Sequence, residues 1–430
     1  MTIWLVKIGE PVPIGPEVAD RVHRTGYLAQ YLAARKHQVT WWTSTFDHYR
    51  KKHISGERIV QLGDNLSIRL LHGCGYSKNI GLERLVDHAL IARKFRKAIT
   101  REPRPDIIVA ALPTVDLCLA SLEYGRSRNV PVVLDMRDMW PDIFVDAVPS
   151  LLRSVARPLL APFFQQARHA CAHATAITGI TEAFVEWGLA RGGRKRSPLD
   201  RAFPFAYPAT EPRPEALRSA AAFWDSQGVP PGSDPLVVCF VGNLSRQLDV
   251  AHFMEAARTL NESGRQVQFV VCGAGERLEE YRRAAAAVPG VLFPGWIDAA
   301  KINILLERSH LGIDPLPDRY DFLATINNKA VEYLSAGVPV VSSPRHGVLC
   351  DLLRREACGL SYATGDANGL ADLLAALHDG RDRLTRMSLQ ARKVFGQQFA
   401  AEKVCGAMAA HFEHVARAFR GAPEEIPSAA

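Results

Sequence analysis

Asn327-Asn328-Lys329-Ala330-Val331-Glu332-Tyr333-Leu334-Ser335-Ala336-Gly337-Val338-Pro339-Val340-Val341 is the stretch from which the rest of the chain can be read. It has the pattern of a short helix followed by a buried strand. An asparagine amide can cap the first turn, a glycine closes the helix, and the apolar run 338–341 has parallel-sheet composition. The start of a helix carries unsatisfied N–H groups and the positive end of the dipole, so it attracts anions. Lys329 adds a full charge in the first turn. Glu332, three residues on, can accept hydrogen bonds from two vicinal hydroxyls. A diphosphate beside a ribose is what a sugar nucleotide presents. The competing reading is an ordinary surface helix with a Lys329–Glu332 pair at i,i+3.

Outward from that stretch, strands and helices alternate almost throughout, which predicts parallel sheets covered by helices on both faces. Strands are expected at 3–8, 38–42, 66–71, 106–111, 130–135 and 174–179. A second series is expected at 236–241, 267–272, 291–293, 311–313, 338–341 and 359–362. A basic helix is expected over 82–100 and a final helical stretch over 381–420. Residues 190–235 are rich in proline, glycine and arginine, and an interdomain linker is placed there, near 207. The 430 residues exceed one ordinary core, so two domains are expected. The boundaries read as 1–206 and 207–399, with a C-terminal helix of about 400–420 returning to the first domain and a disordered tail at 421–430. Two such halves would face a central cleft.

Hydrophobic content of 47% and charged content of 23% are globular values. No apolar run approaches bilayer length, and the first nine residues lack the order of a signal peptide. Eight cysteines without a C-x-x-C pair read as core residues of a reducing cytoplasm. The net charge of +7 is concentrated at 93–104 and 191–196. No aromatic-interleaved or helix-turn-helix pattern accompanies it, which argues against nucleic acid. An anionic membrane surface or a lipid-linked phosphate fits the patches at least as well as nucleic acid does, and a solvated helix face is the competing reading.

Several short motifs occur in order along the chain. They are Gly9-Glu-Pro-Val-Pro-Ile-Gly15, Asp135-Met-Arg137-Asp138-Met-Trp140-Pro141-Asp142, Phe240-Val-Gly242-Asn243, Cys272-Gly273-Ala-Gly275, Phe293-Pro-Gly295-Trp296 and the opening segment. Together they resemble the retaining glycosyltransferases of the GT-B class, family 4. The similarity is greatest to the bacterial subgroup that builds O-antigen, capsule or exopolysaccharide. The resemblance implies an α/β GT-B fold of two Rossmann-like domains, a nucleotide-diphosphate sugar donor and a polyprenyl-diphosphate-linked saccharide acceptor. It also implies a metal-independent reaction without cofactor, at the inner face of the cell membrane.

By the same resemblance, Glu332 accepts the ribose hydroxyls, and Lys329 with the N–H groups around Asn327 and Asn328 holds the diphosphate. Gly242, Asn243 and Arg246 face the phosphates, Gly273 and Gly275 turn beneath the nucleotide, and Trp296 borders the base. Gly15 lies in the N-terminal substrate loop. Each of these glycines is equally well explained as a tight strand-to-helix turn. Arg137, Asp138 and Lys329 are the catalytic candidates, with Asp138 orienting Arg137 or the acceptor; an ordinary helix cap is the other reading of Asp138. The chain departs from the family at two places. Ala324 stands where the first of two glutamates is expected, with Asp321 or Asn327 as substitutes, and Arg137 replaces a common histidine.

The carboxylates Asp135, Asp138 and Asp142 invite a metal reading, and His169 with His173 has helical i,i+4 spacing. Neither is supported by a complete ligand pattern. Two other functions share the architecture: a nucleotide-sugar 2-epimerase and a non-catalytic nucleotide-sugar-binding protein.

Overall fold

The computed structural model describes residues 1–14, 22–79, 81–146, 148, 154, 158–208, 212–232, 234–245 and 247–421. These form two compact units: Met1–Pro204 with the residues from Val404 on, and Phe205–Lys403. The expectations for Gly15 and Arg246 fall outside the described residues, as does the expected disordered tail 421–430 except for Gly421.

The first unit contains β1 (Thr2–Val6), β2 (Gln38–Ser44), β3 (Phe46–Asp47), β4 (Lys52–His53), β5 (Arg58–Gln61), β6 (Leu66–Leu71), β7 (Ile107–Ala111), β8 (Val132–Met136), β9 (Ala176–Gly179) and β10 (Arg201–Ala202). Its main sheet runs β10-β9-β8-β7-β1-β2-β6-β5. β7 and β8 are buried at every position, as strands covered on both faces must be. Their runs of Ile, Val and Ala supply that burial. The edge strand β5 is antiparallel to β6. The sequence reading missed it because Arg58-Ile-Val-Gln61 is largely exposed and carries no buried-strand pattern. β3 and β4 form a small hairpin.

The second unit contains β11 (Leu236–Val241), β12 (Val267–Cys272), β13 (Val291–Gly295), β14 (Leu311–Pro315), β15 (Val340–Ser343) and β16 (Gly359–Ser361). The order is β13-β12-β11-β14-β15-β16, and every pairing is parallel. This is the doubly wound order of nucleotide-binding sheets. The direction of winding reverses between β11 and β14, and ligands of such sheets bind at the carboxyl ends of the strands beside that reversal. All of β11 is buried.

The expected helical stretch at 381–420 is two helices. Arg381–Val394 runs into a π turn at Phe395–Phe399, and Ala401–Phe419 follows. The break has a backbone cause. Tyr207 N–H donates to the Phe399 carbonyl at 3.1 Å, and Ala401 N–H donates to the Tyr207 carbonyl at 3.0 Å. Groups that a continuous helix would pair internally are taken by Tyr207, which lies 192 positions before Phe399 and 194 before Ala401.

Candidate active site

The helix Asn328–Ser335 starts as its sequence predicts. Asn327 is the N-cap, extended in backbone, and its Oδ1 accepts from Ala330 N–H at 3.1 Å. The first two helical N–H groups, of Asn328 and Lys329, make no hydrogen bond among the described residues. Behind them lies Asp314, fully buried near the end of β14. Its Oδ2 accepts from Asn327 Nδ2 at 2.5 Å, and its Oδ1 lies 3.3 Å from Lys329 Nζ. That second contact is an ion pair without hydrogen-bond geometry, so Asp314 Oδ1 remains a buried acceptor with no hydrogen-bond donor. One carboxylate thus fixes both the cap and the cation at the open end of the helix. Nothing in the sequence separated Asp314 from the apolar strand around it; an aspartate in an otherwise buried run was the available signal.

The neighbouring loops close in by small residues. A Cβ on Gly242 would lie 3.1 Å from Lys329 Cδ. A Cβ on Gly273 would lie 1.7 Å from the Gly242 carbonyl oxygen, and one on Gly275 would lie 2.2 Å from that of Leu244. Gly273 also has φ +146, in the region that favours glycine. Gly242 N–H donates to the Cys272 carbonyl at 3.0 Å, Leu244 N–H to Ala274 at 2.9 Å, and Gly273 N–H to Gly295 at 2.8 Å. The loops after β11, β12 and β13 are therefore laced together. Asn243 is exposed and its Oδ1 lies against Gly275. Trp296 is 73% exposed next to Gly295.

Glu332 is buried one turn into the helix, and Tyr207 Oη donates to its Oε1 at 2.8 Å. Sequence reasoning passed over Tyr207, which sits in a proline-rich stretch without a motif. Ala324 is buried at the end of the short helix Tyr320–Leu323. Asp321 pairs with Arg319 through both oxygens, at 2.6 and 2.7 Å.

In the first unit, Arg137 lies just past β8. Its Nε donates to Asp135 Oδ2 at 2.7 Å, its Nη1 donates to Thr25 Oγ1 at 2.8 Å, and Nη1 also bonds Glu10 Oε1. Asp135 further accepts from Arg24 Nε and Nη2, both at 3.3 Å, and from Thr178 Oγ1 at 2.9 Å. Burial alone would raise the Asp135 and Glu10 carboxyls. The positive charge of Arg24 and Arg137 on Asp135, and of Arg137 and Lys7 on Glu10, outweighs it and holds both below the usual carboxylate range. Arg137 is thus clasped between two ionised carboxylates.

Asp138 Oδ1 accepts from Met139 N–H at 2.9 Å, beside the cis Trp140–Pro141 bond. Asp142 accepts from Trp187 Nε1 at 2.9 Å and pairs with Arg191. Asp135 and Asp142 therefore serve different partners. His169 and His173 stack on each other at 4.1 Å, and His173 Nδ1 bonds the His169 carbonyl at 2.9 Å.

A doubly wound unit with a capped, lysine-bearing helix start at its switch point, in one chain with a second, mostly parallel α/β unit, defines a two-domain α/β architecture. Residues 22–199 match the family model described as a glycosyl transferase 4-like domain, and residues 235–379 match the model for glycosyl transferases group 1. Together the two matches place both units of the chain in glycosyl transferase families, on the GT-B fold of two Rossmann-like domains.

Among proteins it is similar to is 2-deoxystreptamine glucosyltransferase of Streptomyces kanamyceticus, 26% identical over 192 residues, which are 44% of this chain and 48% of that one. The chain therefore spans about half the length of that relative. Sucrose-phosphate synthase of Thermosynechococcus elongatus shares the fold with TM-score 0.73 and 17% identity, covering 97% of this chain and 99% of that one. HepE of Anabaena in complex with UDP-glucose does so with TM-score 0.63 and 15% identity, covering 96% and 100%.

Proposed function

We propose that this glycosyltransferase moves a sugar, with retention at the anomeric carbon, from a nucleotide-diphosphate sugar to a lipid-linked saccharide. The acceptor lies at the inner face of a cell membrane, in the synthesis of a surface polysaccharide. The observation that carries the donor half is the Asp314-held pair of Lys329 and the open N–H groups of Asn328 and Lys329, one turn from Glu332. A UDP-glucose complex of a protein with this fold supports the same donor class.

In this reading Glu332 takes the ribose hydroxyls and the helix start takes the diphosphate. The bond from the sugar C1 to the diphosphate oxygen breaks while the acceptor oxygen bonds C1 on the same face. The departing phosphate oxygen accepts the acceptor's hydroxyl proton. Charge grows on the leaving diphosphate, and Lys329 with the two N–H groups is preorganised to meet it. The neutralising groups are then all protein groups, so chelation with EDTA leaves turnover unchanged; a loss of turnover restored by a divalent cation would refute that assignment.

The deciding experiment is thermal-shift binding of UDP, GDP, dTDP and ADP to the wild type and to Glu332→Gln. One nucleotide stabilises the wild type and stabilises Glu332→Gln less. A wild type indifferent to all four, with lipid present or absent, overturns the donor reading.

An aminocyclitol acceptor is the second reading, favoured by the name of the Streptomyces relative. Mass analysis of products from paired acceptors, a lipid-linked saccharide and 2-deoxystreptamine, separates the two.

A further inference from the structure

The carboxyl ends of β1, β2, β6 and β8 in the first unit gather cations that the donor chemistry does not use. Lys7 follows β1, Lys51 sits in the β3–β4 hairpin, and Arg84 lies in the first turn of the helix Leu82–Ala98. All three are partly buried, and none has a carboxylate ion pair among the described residues. Lys51 Nζ stands 4.7 Å from the centre of the Tyr76 ring. The Arg84 guanidinium stands 5.4 Å from that ring and 4.5 Å from the Trp140 ring. Its Nη1 donates to the Asn79 carbonyl at 2.7 Å, while its buried Nε has no hydrogen-bond partner among the described residues.

The acidic groups around them are engaged elsewhere. Glu10 holds Arg137 and Thr25 N–H, Asp87 accepts from Gly75 N–H, and Asp47 accepts from the N–H groups of Tyr49 and Arg50. Asp138 accepts from Met139 N–H and is the remaining counter-charge near Lys7 and Arg84. His48, hydrogen-bonded to Tyr76 Oη at 2.7 Å, feels all three cations. Burial and then Lys51, Arg84 and Lys7 push it down to about 3, so at neutral pH it adds no charge. Lys51 Nζ also donates to Asn79 Oδ1, but like the Asn79 carbonyl on Arg84 this partner is neutral. Three partly desolvated cations beside two aromatic faces, at the ligand edge of the sheet, therefore lack a paired counter-charge, which an oxyanion supplies.

The geometry points to an oxyanion subsite in the first unit, formed by Lys7, Lys51 and Arg84 against Tyr76 and Trp140, which selects an acceptor carrying a phosphate or carboxylate. This deepens the acceptor half of the proposed function and rests on it. The same cluster disfavours a cationic acceptor such as an aminocyclitol, because like charges would meet in a poorly screened site.

The test uses the full chain carrying Lys329→Ala, so that binding at the helix start of the second unit is weakened. Calorimetric titrations with inorganic pyrophosphate, glucuronate and 2-deoxystreptamine are compared with those of the same chain carrying Arg84→Gln or Lys51→Gln in addition. Binding of pyrophosphate or glucuronate by Lys329→Ala, weakened at least tenfold by either added change, is the result expected. Pyrophosphate preference indicates a phosphate-bearing acceptor, and glucuronate preference an acidic sugar. The subsite is overturned if Lys329→Ala binds neither oxyanion, if neither added change alters their binding, or if 2-deoxystreptamine binds more tightly than both. Binding of whichever nucleotide stabilises the wild type, unchanged in the single Arg84→Gln chain, confirms folding; Lys51, in the β3–β4 hairpin, supplies the second variant should Arg84→Gln not fold. Failure of the subsite with nucleotide binding intact leaves the donor reading standing, whereas a wild type that binds none of UDP, GDP, dTDP and ADP strikes the donor reading alone.

Discussion

At the scale of single residues, charge and its neutralisation separate the groups that work from those that hold. Lys329 is held by one buried carboxylate and lies beside two open N–H groups. Removing it takes away one preorganised donor, so Lys329→Ala is expected to lower kcat by about 10²–10³, on the order of 2.7–4 kcal/mol in the barrier. Steady-state kinetics with a matched donor checks this, and an unchanged kcat would remove Lys329 from the leaving-group site. Asp135 is different in kind, because it sits fully buried between two arginines. Asp135→Asn leaves Arg24 and Arg137 short of a counter-charge and is expected to cost about 3–5 kcal/mol at neutral pH. The carboxyl is held below its ordinary value in the folded chain. Its stabilisation is therefore complete above the unfolded value of about 4 and is lost as the pH falls through that value toward the folded one. Denaturation of both proteins should show the gap shrinking below about pH 4. A gap that stays constant down to pH 2 would mean that Asp135 is not the ionised partner.

At the scale of elements, the sequence was most legible where the signal was local. Asn327 as a cap, the helix behind it and the buried strands 236–241 and 267–272 follow from capping chemistry and apolar runs, and the structure has them there. What lay beyond reach depends on partners distant in the chain. The π turn at Phe395–Phe399 exists because Tyr207 takes backbone groups that periodicity assigns to a helix. Asp314 and Tyr207 touch Asn327, Lys329 and Glu332 only after folding. The glycines fall between these cases: the sequence marks tight turns, and the structure shows what they admit. Gly273 combines a positive φ with a backbone oxygen 1.7 Å from where its Cβ would be. Gly273→Ala is expected to destabilise the second unit by about 1–3 kcal/mol from the strained backbone alone. The loop after β11 must also move, so the nucleotide-induced thermal shift should fall with the melting temperature. A variant that melts as wild type would show that the β11 and β12 loops have room to part.

At the scale of the whole molecule, fold class was readable because strand and helix alternate along most of the chain, β2 to β6 excepted, whereas the use of the net positive charge was not. Of the two basic groups in the sequence, the one at 191–196 is largely spent internally. Arg191 pairs with Asp142, Arg194 with Asp200, and Arg196 with Glu182 and Glu186. In the other group, Lys94 and Arg96 pair with Glu57 and Glu123, but Arg93, Lys97 and Arg101 are exposed. Leu82 and Val86 are 80% and 59% exposed on the same helix. At 3.6 residues per turn, positions 82, 86, 93 and 97 fall within roughly 60° of one another. Two apolar and two basic side chains therefore form one outward stripe, with Arg101 just beyond its end. No helix among the described residues is long and apolar enough to cross a membrane. Under the proposed function, this stripe is the surface that would rest on an anionic bilayer. Each near-surface cation contributes roughly 1 kcal/mol toward an anionic bilayer, so replacing Arg93, Lys97 and Arg101 by glutamine should weaken association with phosphatidylserine vesicles roughly a hundredfold. Rising salt should weaken the wild type in the same direction, since the Debye length shrinks to about 8 Å at physiological ionic strength. Vesicle flotation measures both effects. Equal flotation on neutral and anionic vesicles, or no flotation on either, would leave the stripe as solvated surface and take the membrane out of the proposed reaction.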